Sequence, residues 1–319
     1  MLYELKFQPY QRPFRKPLTT AHGTWSLRQG ILLQLHSSSG AIGQGEITPL
    51  DWFGSESWAA AIELCHALPS LLHPMEIQAI PNHYPACQFG LGCALEQVQP
   101  SEICPPAPDV SDRHSPPIAQ LLPSGTAALQ SWRSPYAQGT RTFKWKIGVL
   151  PLATELDLFR QLITSLPADC QLRLDANAGL TDTEAAQWLQ TCDRLRSSTH
   201  PGSTYATVEY LEQPLPIAEF PTLLTLQTQY QTPLALDESI ATLSQLQTCY
   251  QAGWRGIFVI KPAIAGFPWA IRHFCQTHGI DTVFSSVFET AIGWQAGIKL
   301  AQECGTVRAL GYGTQDWFG

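Results

Sequence analysis

The sequence predicts an α/β protein: a barrel of parallel strands alternating with helices, preceded by a smaller α+β unit. Three observations predict it. After about residue 117, eight short apolar runs alternate with helical patterns. Several of those runs end on a charged or polar residue at the point where the strand stops. The first hundred residues have another pattern, strands followed by two helices, and a proline-rich stretch sets them apart. An open doubly wound sheet is the structural alternative, weakened because no G-x-G-x-x-G follows an early strand.

A chain of 319 residues suits one barrel or two domains. The net charge of -7 gives no basic footprint, which argues against a nucleic-acid partner. No stretch approaches the roughly 20 apolar residues of a membrane span. The N-terminal Met1-Leu-Tyr-Glu-Leu-Lys6 reads as a strand, not a signal peptide. Nine scattered cysteines without a C-x-x-C pair read as free thiols in a reducing cytoplasm. The oligomeric state stays open, and a monomer is compatible with the sequence.

In order, Leu2–Gln8 reads as a strand, and Gly30–His36 with Ala41–Glu46 reads as a hairpin. Thr19–Trp25, small and polar, reads as a loop. A helix from about Glu56 aligns Trp58, Ile62, Cys65 and Leu68; a second near Cys87–Val98 aligns Leu91, Ala94, Leu95 and Val98. Residues 1–100 thus form the first domain. Residues 101–117 are a proline-rich linker or insertion, and 118–310 the barrel. Its strands fall at Ile118–Leu122, Thr142–Ile147, Gln171–Leu174, Thr207–Leu211, Leu234–Leu236, Gly256–Ile260, Asp281–Phe284 and Val307–Leu310. The helix after the second strand carries Leu152, Leu156, Phe159 and Ile163 on one stripe. The next opens with a capping box, Thr181-Asp-Thr-Glu184, and buries Ala185, Trp188, Leu189 and Cys192. Later helices run near Ala218–Gln229, Leu243–Ala252, Trp269–His278 and Glu289–Cys304.

The chemistry centres on Thr142–Gly148. Strand period puts Lys144 and Lys146 on one face and Trp145 on the other. Two inward ammoniums repel and are costly to desolvate, so packing does not explain them. Other strands end on Asp175, Glu212, Asp237 and Lys261, and a further one on Ser285 and Ser286. In a barrel these ends share one mouth. Three converging carboxylates need a cation, and all-oxygen ligation suits Mg²⁺, while the absence of His or Cys at these ends disfavours zinc. A metal-bound substrate carboxylate would place its α-carbon between Lys146 and Lys261. Loss of an α-proton there gives an enediolate, and a neutral lysine can take that proton, its pKa depressed by Lys144 and the cation. Taken singly, Asp237 could be a helix cap and Lys261 a surface lysine. Five such residues in strand order are not explained that way.

The order K-x-K, D-x-N, E-Q-P, D-E-S and K at successive strand ends resembles the enolase superfamily, muconate-lactonizing branch, over nearly the whole chain. Gly43-Gln-Gly-Glu-Ile-Thr-Pro49 resembles its capping-domain signature. The resemblance implies a (β/α)7β modified TIM barrel with an N-terminal α+β capping domain, to which the tail 311–319 returns. It implies one Mg²⁺ held by Asp175, Glu212 and Asp237. Lys146 would remove the α-proton and then protonate the departing hydroxide, Lys144 would support it, and Lys261 would stabilise the enediolate. The tail Ala309–Phe318, Ser285–Thr290 and Thr20–Trp25 resemble members that dehydrate a succinyl-bearing cyclohexadiene carboxylate in menaquinone or phylloquinone biosynthesis. Ser285 and Ser286, with nearby backbone amides, would then hold the succinyl carboxylate. Asn177 and Glu238 would support the metal and lysines. His22 would touch substrate from a covering loop, although a solvated loop histidine reads equally well.

Racemases, epimerases and cycloisomerases share the lysine pattern. The eighth-strand region Gly311–Asp316 lacks the Asp-x-Asp of dipeptide epimerases, which disfavours an aminoacyl substrate. N-succinylamino-acid racemisation stays as the alternative. A non-catalytic binding protein would not need both lysines of the pair. The expected partner is a small-molecule carboxylate.

Overall fold

The computed structural model describes residues 1–20, 23–99, 115–198, 205–314 and 317–318. The first strands are β1 (Tyr3–Thr20), β2 (Gly23–Ser37), β3 (Ile42–Ile47) and β4 (Leu71–Leu72), with helices α1 (Trp58–Ala67), α2 (Pro74–Gln78) and α3 (Pro85–Val98). Then come β5 (Gln120–Leu122), α4 (Ala128–Ser131), α5 (Arg133–Ala137), β6 (Thr142–Lys146), α6 (Leu152–Ser165), β7 (Gln171–Asp175) and α7 (Asp182–Ser198). The remainder is β8 (Thr207–Glu212), α8 (Phe220–Gln229), β9 (Leu234–Leu236), α9 (Leu243–Gln251), β10 (Ile257–Ile260), α10 (Pro262–Ala265), α11 (Pro268–His278), β11 (Thr282–Phe284) and α12 (Ala291–Glu303). Two compact units result. The first comprises Met1–Pro116, Ala241–Leu246 and Ile260–Gly319, the second Pro117–Ile240 and Gln247–Val259.

In the first unit an antiparallel sheet runs in the order β3-β2-β1-β4. The expected first strand is much longer than Leu2–Gln8. β1 pairs with β2 from Tyr3↔Ser37 to Thr20↔Gly23, with one register shift between Pro13 and Leu18. Most of the expected Thr19–Trp25 loop is therefore the paired end of this hairpin. Prolines hide the strand in the sequence, yet β4 covers β1 only at Tyr3 and Glu4. Beyond Leu5, whose N–H donates to Ser70 O, the outer side of β1 meets only the single bridge Phe14↔Phe318 among the described residues, and prolines are tolerated at such an edge. In β2, Ile31, Leu33 and Leu35 face the core. β3 lies against α3 so closely that a Cβ on Gly43 or Gly45 would collide with the carbonyl oxygens of Ala94 or Gly90. That is the physical content of the Gly-Gln-Gly-Glu segment. Glu46 follows, and it accepts hydrogen bonds from Thr290 N at 2.9 Å and Gly293 N at 2.8 Å, capping the start of α12.

Strands β5 to β11 form one parallel sheet in chain order, with helices between them, as the sequence predicts. In the second unit Lys146 pairs with Asp175 and Asp175 with Glu212 along the register. Trp145 points away from the lysines into a core with Trp188 and Phe159, ring centroids 6.4 Å (Trp145–Trp188) and 5.3 Å (Phe159–Trp188) apart. The capping box at α7 is formed: Thr181 N donates to Glu184 at 2.9 Å and Glu184 N to Thr181 at 3.3 Å. The expected eighth strand, Val307–Leu310, is not a strand among the described residues. Only a parallel bridge, Ser285↔Gly311, remains of it. Val307 is 90% exposed and Arg308 turns outward to Asp281 at 2.6 Å; Ala309 and Leu310 are buried, and Gly311 N donates to Phe284 O at 2.8 Å, so pairing is confined to the end of the run.

The eight cysteines among the described residues are free, and seven are buried. Among the described residues no helix is long and apolar enough to cross a membrane.

Candidate active site

Seven of the predicted site residues lie in the second unit: Lys144, Lys146, Asp175, Asn177, Glu212, Asp237 and Glu238. Lys144 and Lys146 share a face of β6, as strand period requires. Lys144 Nζ lies 2.9 Å from Asp175 Oδ2 and 2.7 Å from Glu212 Oε1. Lys146 Nζ lies 3.6 Å from Asp175 Oδ2 and donates to Asn177 Oδ1. Asn177 Nδ2 donates to Glu238 Oε1 at 3.2 Å, and Asn177 N to Asp175 Oδ1 at 3.1 Å. Asn177 and Ala178 have φ of 45° and 60°, unusual for residues with a Cβ. The chain thus turns sharply where β7 ends and brings the Asn177 amide over the lysine.

The pair has separated roles in charge. Burial pulls the Lys144 pKa down, but Asp175 and then Glu212 raise it more, and the net lies well above the ordinary lysine value. Lys144 is therefore a fixed cation. Burial alone would raise Asp175; the ammoniums of Lys144 and Lys146 reverse this and hold it well below the usual carboxylate range. Glu212 is pushed up, first by burial and then by the charge of Asp175, with Lys144 pulling back. One ammonium serves two buried carboxylates, and Glu212 is left short of positive charge.

Gln213, which the sequence offered only as part of E-Q-P, ties the strand ends together. Its Oε1 accepts from Asp237 N at 3.0 Å and Ser239 N at 3.2 Å, and its Nε2 donates to Ser239 Oγ at 2.8 Å and Leu215 O at 2.9 Å. Asp237 is buried, and its charge acts on both Lys144 and Glu212. Among the described residues no three His, Cys, Asp or Glu groups already stand together as a cation site. The donor chemistry still fits a hard divalent ion. The set is all oxygen and deeply buried, and Glu212 Oε2 has no hydrogen-bond partner at all.

Lys261, Ser285 and Ser286 belong to the first unit. Lys261 precedes α10, with its Nζ 4.1 Å above the ring of Phe53. Ser286 Oγ donates to Glu289 Oε2 and accepts from Phe288 N at 2.8 Å, so this hydroxyl is already engaged. Its backbone N–H donates to Gly311 O, and that of Ser285 to Ile260 O. Ser285 Oγ makes a longer bond, 3.3 Å, to Gly311 O. Of the two serines, Ser285 is the freer to turn to a ligand. His22 lies outside the described residues.

Comparison with known proteins places these residues in context. The family described as enolase C-terminal domain-like matches residues 127–318, and the MenC N-terminal domain matches residues 3–98. A curated o-succinylbenzoate synthase from Thermosynechococcus vestitus is 37% identical over 97% of this chain and 91% of its own length. The N-succinyl-L-Arg/Lys racemase of Bacillus cereus is 22% identical over 91% of this chain and 80% of its own length. The solved o-succinylbenzoate synthase from Thermosynechococcus elongatus BP-1, complexed with Mg in its active site, superimposes with a TM-score of 0.87. It is 36% identical, covering 99% of this chain and 94% of that one.

Proposed function

The chain belongs to the o-succinylbenzoate synthase family of the enolase superfamily, and we propose on that premise that it converts 2-succinyl-6-hydroxy-2,4-cyclohexadiene-1-carboxylate to 2-succinylbenzoate and water. The product feeds menaquinone or phylloquinone biosynthesis. The observation that carries the reading is the division within the lysine pair. Lys144 is spent as a cation between Asp175 and Glu212, whereas Lys146 is 39% exposed and aimed by Asn177.

Lys146 Nζ takes the proton from the α-carbon of the substrate carboxylate. A Mg²⁺ held by Asp175, Glu212 and Asp237 would supply the positive charge that stabilises the resulting enediolate. Lys261 adds its ammonium to the same charge. The hydroxyl on the neighbouring ring carbon then leaves, and the proton on Lys146 goes to it, so one group acts as base and then acid on one face. The C–H and C–O bonds break, a ring double bond forms, and water departs. Aromatisation drives the reaction forward. Asn177 orients Lys146, Glu238 orients Asn177, and Gln213 fixes the backbone at Asp237. Ser285 is the better candidate for the succinyl carboxylate, with Ser286 supporting the loop. Residues 1–100 are read as the capping domain with the tail 311–319, 101–117 as the linker, and 118–310 as the catalytic barrel. The enzyme is read as cytoplasmic and acting on this small-molecule carboxylate without nucleic acid.

The test is formation of succinylbenzoate with Mg²⁺ and with the metal removed by chelation. Turnover that requires Mg²⁺ is expected. Absence of product with saturating metal would exclude the reading. N-succinylamino-acid racemisation is the second reading, favoured by likeness to the Bacillus cereus racemase. It requires rapid solvent deuterium exchange at the α-carbon of N-succinylamino acids.

A further inference from the structure

β7 and β8 do not pair in a single register. Leu172 pairs with Val208, but the next residue, Arg173, pairs with Tyr210, and the ladder then runs through Leu174↔Leu211 to Asp175↔Glu212. Glu209 is therefore an extra residue in β8, a β-bulge, which is uncommon between parallel strands. The count decides what stands beside Asp175. If the Leu172↔Val208 register continued, Asp175 would pair with Leu211, and strand period would turn Glu212 to the opposite side of the sheet. With the extra residue in place Glu212 lies beside Asp175, and Lys144 Nζ is 2.7 Å from its Oε1.

One side chain holds the extra residue. Arg173 Nε donates to Glu209 Oε2 at 2.6 Å and its Nη2 to Glu209 Oε1 at 3.3 Å, and its guanidinium carbon lies 5.0 Å from the centroid of the Tyr210 ring. Consecutive residues of a regular strand point to opposite faces, so one side chain on β7 reaches both only where β8 bulges. Arg173, Glu209 and Tyr210 are all buried, in the second unit. Replacing a buried ion pair by packed apolar groups is often neutral or stabilising, so such a pair is a weak source of stability; fixing a register is its best-attested use. The planar fork suits that use. Two N–H···O bonds set the direction of the Glu209 carboxylate as well as its distance, which a single ammonium would not.

We propose that Arg173 is a positioning residue for Glu212: by clamping Glu209 and Tyr210 it holds the bulge in β8, and the bulge sets Glu212 beside Asp175. This rests on the reading of Asp175, Glu212 and Asp237 as the ligands of Mg²⁺. Arg173 acts through the β8 backbone, not on substrate or metal.

The test measures Mg²⁺ binding by titration calorimetry, without substrate, and melting in chelator. It compares wild type with Arg173→Met, Arg173→Lys and the double variant Arg173→Met/Glu209→Leu. Arg173→Met leaves the Glu209 carboxylate buried without its cation, so a lower melting point is expected from burial alone. The double variant removes both charges and separates stability from register. Its melting point should return towards wild type while its Mg²⁺ dissociation constant stays roughly 10- to 100-fold higher. Mg²⁺ affinity that returns together with the melting point would leave Arg173 a purely structural role and overturns the proposal. Arg173→Lys keeps the buried charges paired but loses the fork, and it decides if the double variant does not fold. Its Mg²⁺ affinity should be weaker than that of wild type, and an unchanged affinity overturns the proposal. A crystal structure of whichever variant folds reads the register without metal. Glu212 displaced from Lys144 is expected, and Asp175↔Glu212 pairing as in wild type overturns the proposal. Wild type that binds no Mg²⁺ refutes the reading of the three carboxylates as ligands instead, and the crystal structure still decides the register.

Discussion

Replacing Lys144 by methionine removes the one ammonium that bridges Asp175 and Glu212 at 2.9 and 2.7 Å. The two carboxylate side chains are only 2% and 0% exposed, so water cannot take over. Lys146 stays 3.6 Å from Asp175, which compensates that carboxylate in part. Glu212 loses its ammonium, and its other oxygen already lacks a hydrogen-bond partner. Breaking a buried ion pair by deleting one member costs about 3–5 kcal/mol. For a chain of this size about 1 kcal/mol moves the melting point by ~2 °C, so Lys144→Met without metal should melt roughly 6–10 °C lower. A bound Mg²⁺ would supply replacement charge, so saturating Mg²⁺ should recover more of the melting temperature in the variant than in wild type. Thermal melts in chelator and in excess Mg²⁺ measure both quantities. An unchanged melting point in chelator would refute the reasoning, because it would mean that the carboxylates are not held by this lysine. Equal Mg²⁺ increments for both proteins would separate the lysine from the metal site.

Other outcomes follow from single contacts. Gln213→Leu removes both acceptor bonds to the Asp237–Ser239 backbone and should weaken Mg²⁺ binding about 10- to 100-fold, measured by titration calorimetry. Asn177→Ala frees Lys146 and should lower kcat roughly 10- to 100-fold while the melting point moves little; loss of KM alone would contradict it. Gly45→Ala drives a Cβ into the Gly90 carbonyl, where only backbone can yield, and should destabilise the fold by about 3 kcal/mol or more in a denaturant melt.

The lysine pair was legible because it breaks a rule of local pattern: charges stand where the strand's inner face should be apolar. Asp175, Glu212 and Asp237 were legible because each ends an apolar run. Gln213 was not, because an amide after a strand has no local signature, and its role appears only when the ends of β8 and β9 lie side by side. The bulge at Glu209 was hidden for the same reason. An extra residue in a strand has no local signature until its register against β7 is seen. The sequence reading stopped β1 at Gln8, whereas the strand runs to Thr20 through prolines, which strand edges tolerate. It overstated Val307–Leu310 because Val307 and Arg308 face outward and pairing is confined to the bridge at Gly311, with only Ala309 and Leu310 buried. The rise in Lys144 pKa was also beyond it. Two lysines alone suggest mutual depression, and the carboxylates that reverse it come from β7 and β8, far along the chain.

The central claim is that Lys146 carries the proton while Lys144 only shapes its surroundings. The most direct measurement is succinylbenzoate formation by Lys146→Ala at saturating Mg²⁺, with its melting point recorded alongside. The account predicts a folded, Mg²⁺-responsive protein without detectable dehydration. A variant that turns over at near wild-type rate would contradict it and move the base elsewhere.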